Sequence, residues 1–278
     1  MQQNIRKSSY PDFMMDNKLK LCLLPLEILW GNKEHNLKTL ETAFSKVHPE
    51  TDLVVLPETF STGFPSNEMQ KDIINLAETN DGETVSLLKE LSNQHNLAIA
   101  GSFICKDKGN LFNRSFFIEP SGDAYYSAKK HLFSPGGEDK IFQSGEKKLF
   151  VRYRGWNIAL VVCYDLRFPV WCRNRNNNYD LLIAVANWPV SRIDTWDTLL
   201  KARALENSAY VCGVNCRGID DLGGDYNGSS HVFNYKGKDL AVRIDDDGLL
   251  YAGLSMQRLR NFRDKFPTWK DADDFQFL

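Results

Sequence analysis

The chain has 278 residues, 42% of them hydrophobic and 25% charged, with a formal net charge of −2. That composition describes a folded globular protein and excludes a disordered one. No basic stripe marks a nucleic-acid surface, and no stretch approaches the length of a membrane span.

Residues 1–18 are polar and aperiodic and include Pro11, so they read as a flexible N-terminal arm, with Met14 and Met15 as alternative start residues. The apolar run from Leu19 to Trp30 is interrupted by Glu27 and followed by no small-residue cleavage site. It reads as a first strand over 19–24 rather than an export signal. Leu37, Leu40, Phe44 and Val47 recur three and four apart, which predicts an amphipathic helix over 33–47. A strand follows over 52–57, a helix over 83–94 and a strand over 97–104. Segments 112–118 and 124–129 flank the turn Glu119-Pro120-Ser121-Gly122-Asp123 and form a hairpin. Strands over 149–152 and 156–162 bracket Arg154-Gly155, and 181–186 is a buried strand. Ser191 and Asp194 suggest a capping box opening a helix over 191–207. Strands over 210–215, 229–233, 240–244 and 249–254 complete the set. A closing helix is expected over 255–262, with the tail beyond Pro267 packing on a neighbour or fraying.

Strands and helices in this mixture indicate an α/β protein with two packed sheets covered by helices. With no internal repeat and no low-complexity linker, one domain is expected: the arm over 1–18, the body over 19–256 and a C-terminal helix and tail over 257–278. The six cysteines lack a compact spacing framework, which points to a reduced, cytoplasmic chain. Cys212 and Cys216 flank a strand segment with no second metal-ligand pair, so no metal site is expected.

Three strand ends carry chemistry. Cys163 stands where the apolar run from Trp156 to Val162 gives way to Tyr164-Asp165-Leu166-Arg167-Phe168-Pro169. A strand, a sharp turn and a helix opened by Pro169 lift a nucleophile above a sheet edge. Glu58 closes the apolar segment Asp52-Leu53-Val54-Val55-Leu56-Pro57, where a carboxylate is costly without a partner. In Lys129-Lys130-His131-Leu132-Phe133, strand alternation puts Lys129 and His131 on one face and Lys130 on the other. Taken singly, each has an ordinary alternative: a buried thiol, a solvated strand end, a solvated lysine pair.

Together, in this order, the three segments resemble the nitrilase superfamily of carbon–nitrogen hydrolases, with its Glu-Lys-Cys triad. The likeness spans residues 19–254. Glu58-Thr59-Phe60-Ser61-Thr62-Gly63-Phe64, Asn187-Trp188-Pro189 and Trp196-Asp197-Thr198-Leu199-Leu200-Lys201-Ala202-Arg203-Ala204 are similar to the omega-amidase branch. The chain departs from that branch at Pro25, where a glutamine is common. The resemblance implies a single-domain, four-layer α-β-β-α sandwich that assembles as a homodimer or larger homo-oligomer and uses no cofactor. It implies Glu58 as general base, Cys163 as nucleophile, and Lys129 with the Tyr164 N–H as oxyanion donors. Glu138, in the loop Ser134-Pro135-Gly136-Gly137-Glu138-Asp139-Lys140, occupies the place of a second family glutamate that supports the lysine, with Asp139 as the alternative. The implied activity is hydrolysis of a small amide to carboxylate and ammonia, with 2-oxo dicarboxylate monoamides such as 2-oxoglutaramate as substrates. Phe60, Phe64, Tyr164, Asn187 and Trp188 are candidate pocket residues, although each aromatic ring suits a core equally well. Arg167 is placed to hold a substrate carboxylate or to pair with Asp165. The alternatives are another amidase, a carbamoylase or a nitrilase, or a binding protein on an inactive scaffold.

Overall fold

The computed structural model describes residues 17–65, 72–243 and 248–275. The expected arm therefore lies almost wholly outside the described residues, and its last residue, Lys18, already begins a strand. Seven strands make the first sheet: β1 (Lys18–Leu23), β2 (Leu53–Val55), β3 (Ala98–Asp107), β4 (Asn110–Ile118), β5 (Ala124–Ala128), β13 (Val242–Arg243) and β14 (Leu250–Ser255). Their spatial order is β13-β14-β1-β2-β3-β4-β5. The second sheet, in the order β12-β9-β8-β7-β6, comprises β6 (Leu149–Tyr153), β7 (Trp156–Val162), β8 (Leu181–Ala186), β9 (Tyr210–Asn215) and β12 (His231–Phe233). A separate ribbon joins β10 (Arg217–Ile219) to β11 (Asp225–Asn227). The helices are α1 (Lys33–Phe44), α2 (Ile73–Leu76), α3 (Glu83–His95), α4 (Pro169–Cys172), α5 (Ile193–Asn207) and α6 (Met256–Lys265).

Strand alternation builds the layers. Leu19, Leu21 and Leu23 face Trp156, Ile158, Leu160 and Val162 of the other sheet in one intersheet core. Their opposite-facing neighbours, Cys22, Val54 and Ile99, pack on Leu37, Leu40 and Phe44 of α1 and on Val85, Leu88 and Leu91 of α3. On the far side, Ala159, Val161, Leu182 and Ala184 meet Trp196, Leu200 and Ala204 of α5. The result is the four-layer α-β-β-α sandwich that the family resemblance implied. Burying each large aliphatic side chain here contributes about 1.5–3 kcal/mol. Close approach matters too: a Cβ on Gly213 would stand 2.3 Å from Leu200 Cδ1, so α5 lies on β9 only because that residue is glycine.

Several boundaries differ from expectation. The capping box does not form. Val190–Arg192 is a 3₁₀ turn, α5 starts at Ile193, and Arg192 at its N-cap makes no side-chain cap bond. That turn is held by a side-chain bond from just upstream, as the Trp188 indole N–H donates to the Arg192 carbonyl at 2.9 Å. The short α2 and the β10–β11 ribbon, which carry too few residues to show a period, were not anticipated. The strand expected over 240–244 shows only β13 before reaching residues outside those described. The closing helix runs longer, with Ser255 Oγ capping the Arg258 N–H at 3.2 Å. The tail, expected to reach a neighbour or fray, packs on its own chain as far as it is described. Thr268 contacts Ser208, and Asp274 pairs with Arg175.

Candidate active site

Cys163 follows β7 directly and opens a 3₁₀ turn, Cys163–Arg167, which leads through Phe168 into α4 with Pro169 in its first turn. Its φ of +45° is left-handed, a conformation that costs of order 1–3 kcal/mol outside glycine and clusters at functional sites. Thr59, just past Glu58, shares this strain with φ of +41°. Its N–H is held by Ser102 Oγ at 2.9 Å. The turn after β2 is thus held in place, and the two turns carry the candidate residues Glu58 and Cys163.

Glu58, Lys129 and Glu138 form one buried cluster. Lys129 Nζ donates to Glu58 Oε1 at 2.9 Å and lies 2.8 Å from Glu138 Oε2. Asn113 Nδ2 bridges the same two carboxylates, at 2.7 Å to Glu58 and 3.1 Å to Glu138. The Asn187 N–H donates to Glu58 Oε2 at 2.9 Å, and the Phe133 N–H to Glu138 Oε2 at 2.6 Å. Burial alone would discharge Lys129, but the Glu138 and Glu58 carboxylates outweigh it and hold the ammonium above the ordinary lysine range. Burial, with Glu58 beside it, raises Glu138, and Lys129 opposes that rise. Cys163 Sγ donates to the Asn187 carbonyl at 3.9 Å, and burial plus the negative charge of Glu58 lift the thiol well above its usual range. The resting sulfur is therefore a neutral thiol in the field of a carboxylate, an arrangement that asks for a base rather than a pre-formed thiolate.

The sequence argument for Lys129 needs correction in its reasoning. β5 ends at Ala128, so strand alternation does not extend to His131. The Lys129 N–H still pairs with the Asn113 carbonyl at 2.9 Å, and its side chain turns inward, whereas Lys130 is half-buried. His131 instead contacts Asp165 Oδ1 through Nδ1 at 2.8 Å and stacks on Phe168 at 3.7 Å. Asp165 also accepts the Val162 N–H at 3.1 Å, so it ties the turn bearing Cys163 to the segment bearing Lys129. These contacts occupy Asp165, and the alternative pairing with Arg167 does not occur. Arg167 lies over the Trp188 ring at 4.9 Å. Asp139, the alternative to Glu138, is exposed.

An open cleft of about 410 Å³ stands over Cys163, lined by Phe64, Tyr164, Arg167, Asn187 and Trp188 among others. Phe60 is not part of it: fully buried, it packs edge-on against Phe116 at 6.2 Å in the core under α1 and α3. Asn187 is more than a wall, because its Nδ2 also donates to the Glu58 carbonyl at 3.1 Å and to Thr59 Oγ1 at 2.9 Å. Three contributors escaped the sequence reading. Asn113 left no clear clue, since Arg114 and Ser115 beside it make that stretch of β4 polar. Asp165 was considered only as a partner for Arg167. Arg192, which also lines the cleft, offered no local pattern at all.

The carbon–nitrogen hydrolase family model matches residues 21–264. The chain belongs to the carbon–nitrogen hydrolase family. It is a hydrolase acting on carbon–nitrogen bonds other than peptide bonds, and within the family it groups with omega-amidases. It is 39% identical to omega-amidase YafV of Escherichia coli K12, over 93% of this chain and 98% of that protein. Identity to 2-oxoglutaramate amidase of Bacillus subtilis is 29%, over 91% and 97% of the two chains. Among solved structures, XC1258 of Xanthomonas campestris, a CN-hydrolase superfamily protein with an arsenic adduct in its active site, superposes with a TM-score of 0.88. It is 35% identical over 94% of this chain and 99% of its own.

Proposed function

We propose that this carbon–nitrogen hydrolase is an omega-amidase that cleaves short 2-oxo dicarboxylate monoamides, of the 2-oxoglutaramate type, to dicarboxylate and ammonia. The observation that carries this reading is Cys163, half-buried at the foot of a cationic cleft, with the charge of the buried Glu58–Lys129 pair acting on its thiol. Glu58 takes the thiol proton as sulfur attacks the amide carbonyl carbon. The oxygen that becomes negative is stabilised by Lys129 and by the Tyr164 N–H at the start of the 3₁₀ turn. Collapse breaks the C–N bond as Glu58 returns the proton to nitrogen, leaving a thioester and releasing ammonia. Glu58 then deprotonates a water that attacks the thioester, and the proton goes back to sulfur as the acid departs. Glu138 keeps Lys129 charged throughout, and Asn113 holds the two carboxylates in place beside it. Every proton is handled by side chains of this cluster.

Arg167 is assigned to the substrate carboxylate remote from the amide, where a guanidinium forms paired hydrogen bonds. A free acid should therefore outperform its methyl ester by at least about tenfold in kcat/KM, the scale of one charge-assisted hydrogen bond. Steady-state ammonia release from 2-oxoglutaramate and from its C1 methyl ester measures this directly. Equal rates, or a preference for a nitrile or a long-chain amide, would reject the substrate class.

A cytoplasmic homodimer is the assembly this reading carries. Its support is six free cysteines, which suit a reducing compartment, and exposed Val170 and Leu205 on α4 and α5 of one layer. Sedimentation velocity should give twice the 31.8 kDa chain mass.

A further inference from the structure

The cleft holds a second guanidinium, and we infer that Arg192 is a specificity-determining residue that works with Arg167 as a two-pronged grip on the carboxylate end of the substrate. This rests on the omega-amidase reading above and deepens it. Both arginines are organised by Trp188. The Arg167 guanidinium lies over the Trp188 ring at 4.9 Å, and the Trp188 indole N–H fixes the Arg192 carbonyl at 2.9 Å. Trp188 is itself immobilised through its backbone, which exchanges hydrogen bonds with the Asn215 side chain at 2.7 and 2.8 Å. From the opposite wall, Phe133 receives the Arg192 guanidinium over its ring at 5.6 Å. Among the described residues neither guanidinium has an ion-pair or hydrogen-bond partner, so both keep their donors for a ligand.

The acidic side of the cleft makes no direct pair with either of them among the described residues. Asp220 is the one carboxylate among the described lining residues, and its oxygens are already engaged. Oδ1 accepts the Leu222 and Gly224 N–H groups at 3.0 and 2.6 Å, and Oδ2 accepts the Tyr226 hydroxyl at 2.9 Å. Two planar guanidiniums converging on one end of a ligand suit a carboxylate with an adjacent carbonyl oxygen, which together offer a flat row of acceptors. They disfavour a carboxylate with an adjacent ammonium, which brings another cation beside them while the Asp220 oxygens are already taken by other donors. Arg192 thereby helps select 2-oxo amides over 2-amino amides.

The test is steady-state ammonia release from 2-oxoglutaramate, its C1 methyl ester and glutamine, using wild type, Arg192→Gln, Arg192→Lys and Arg167→Gln. Arg192→Gln is expected to raise KM for 2-oxoglutaramate about tenfold or more while kcat changes less than about threefold. The acid-to-ester and oxo-to-amino ratios of kcat/KM should fall with it, and Arg192→Lys, which keeps the charge but not the fork, should recover part of each. The inference is overturned if wild type prefers the acid and Arg192→Gln preserves its KM and both ratios. In that outcome the substrate class stands, with Arg167 alone as its cation. A wild type indifferent to acid and ester would instead remove the omega-amidase reading and this inference together.

Discussion

Cys163→Ala is expected to reduce ammonia release by a factor on the order of 10⁴ or more, to background, while leaving the fold intact. Without sulfur there is no thioester, and the remaining groups have no covalent route around it. The substitution removes one atom from a half-buried side chain at the foot of an open cleft, so little packing is lost. The contrast with the other cysteines makes the experiment specific. Cys105, Cys172 and Cys212 are buried, and burial pushes Cys105 up to about 11 and Cys172 up to about 12, with Cys212 higher still. They are inert thiols packed in cores, and alanine there should cost stability while most of the turnover survives. Circular dichroism alongside the ammonia assay separates the two effects. Near-normal turnover by Cys163→Ala would falsify the mechanism as a whole.

Glu58→Gln and Lys129→Ala should each lower kcat by about 10²–10⁴-fold, for different reasons. Each hydrogen bond that the Glu58 carboxylate makes to Lys129, Asn113 and the Asn187 N–H has the carboxylate as acceptor. Glutamine cannot take the thiol proton, and its NH₂ must also face one of those donors. Lys129→Ala leaves Glu58 and Glu138 as neighbouring buried carboxylates without their shared cation. One must then bind a proton, so this variant should also lose about 3–5 kcal/mol of stability, the scale for breaking a buried ion pair. Lys130→Ala is the control: half-buried and outside the cluster, it should stay within about threefold of wild type. Stability is read by urea unfolding and activity by initial rates. Matching losses at Lys129 and Lys130 would refute the assignment.

Much of the fold was legible because alternation leaves a direct trace in the order of residues. β7, β8 and β9 fall where their apolar runs fall, since a strand buried on both faces must be apolar throughout. The helices α1 and α3 were visible through their one-sided apolar spacing. Where expectation and structure part, a contact that periodicity does not encode decides. The Trp188 indole bond to the Arg192 carbonyl sets the start of α5 in place of the Ser191–Asp194 cap. Phe60 looked equally suited to pocket or core, and only the packing of α1 and α3 against the first sheet placed it in the core.

The same division runs through the site. The sequence by itself placed Glu58, Lys129 and Cys163 at strand ends, where each alone had an ordinary alternative and only the three segments in order resembled one site. It also determined the layered α/β plan, because that plan is written in periods of two and of 3.6 residues. Only the tertiary structure decided that one amide, Asn113, bridges two carboxylates separated in the chain, and that Asp165 serves His131 rather than Arg167. Only it placed Arg192 beside the same cleft as Arg167. Hydrogen bonds and charge pairs depend on distances of about 3 Å between side chains from different strands and loops, and those distances exist only once the two sheets have packed.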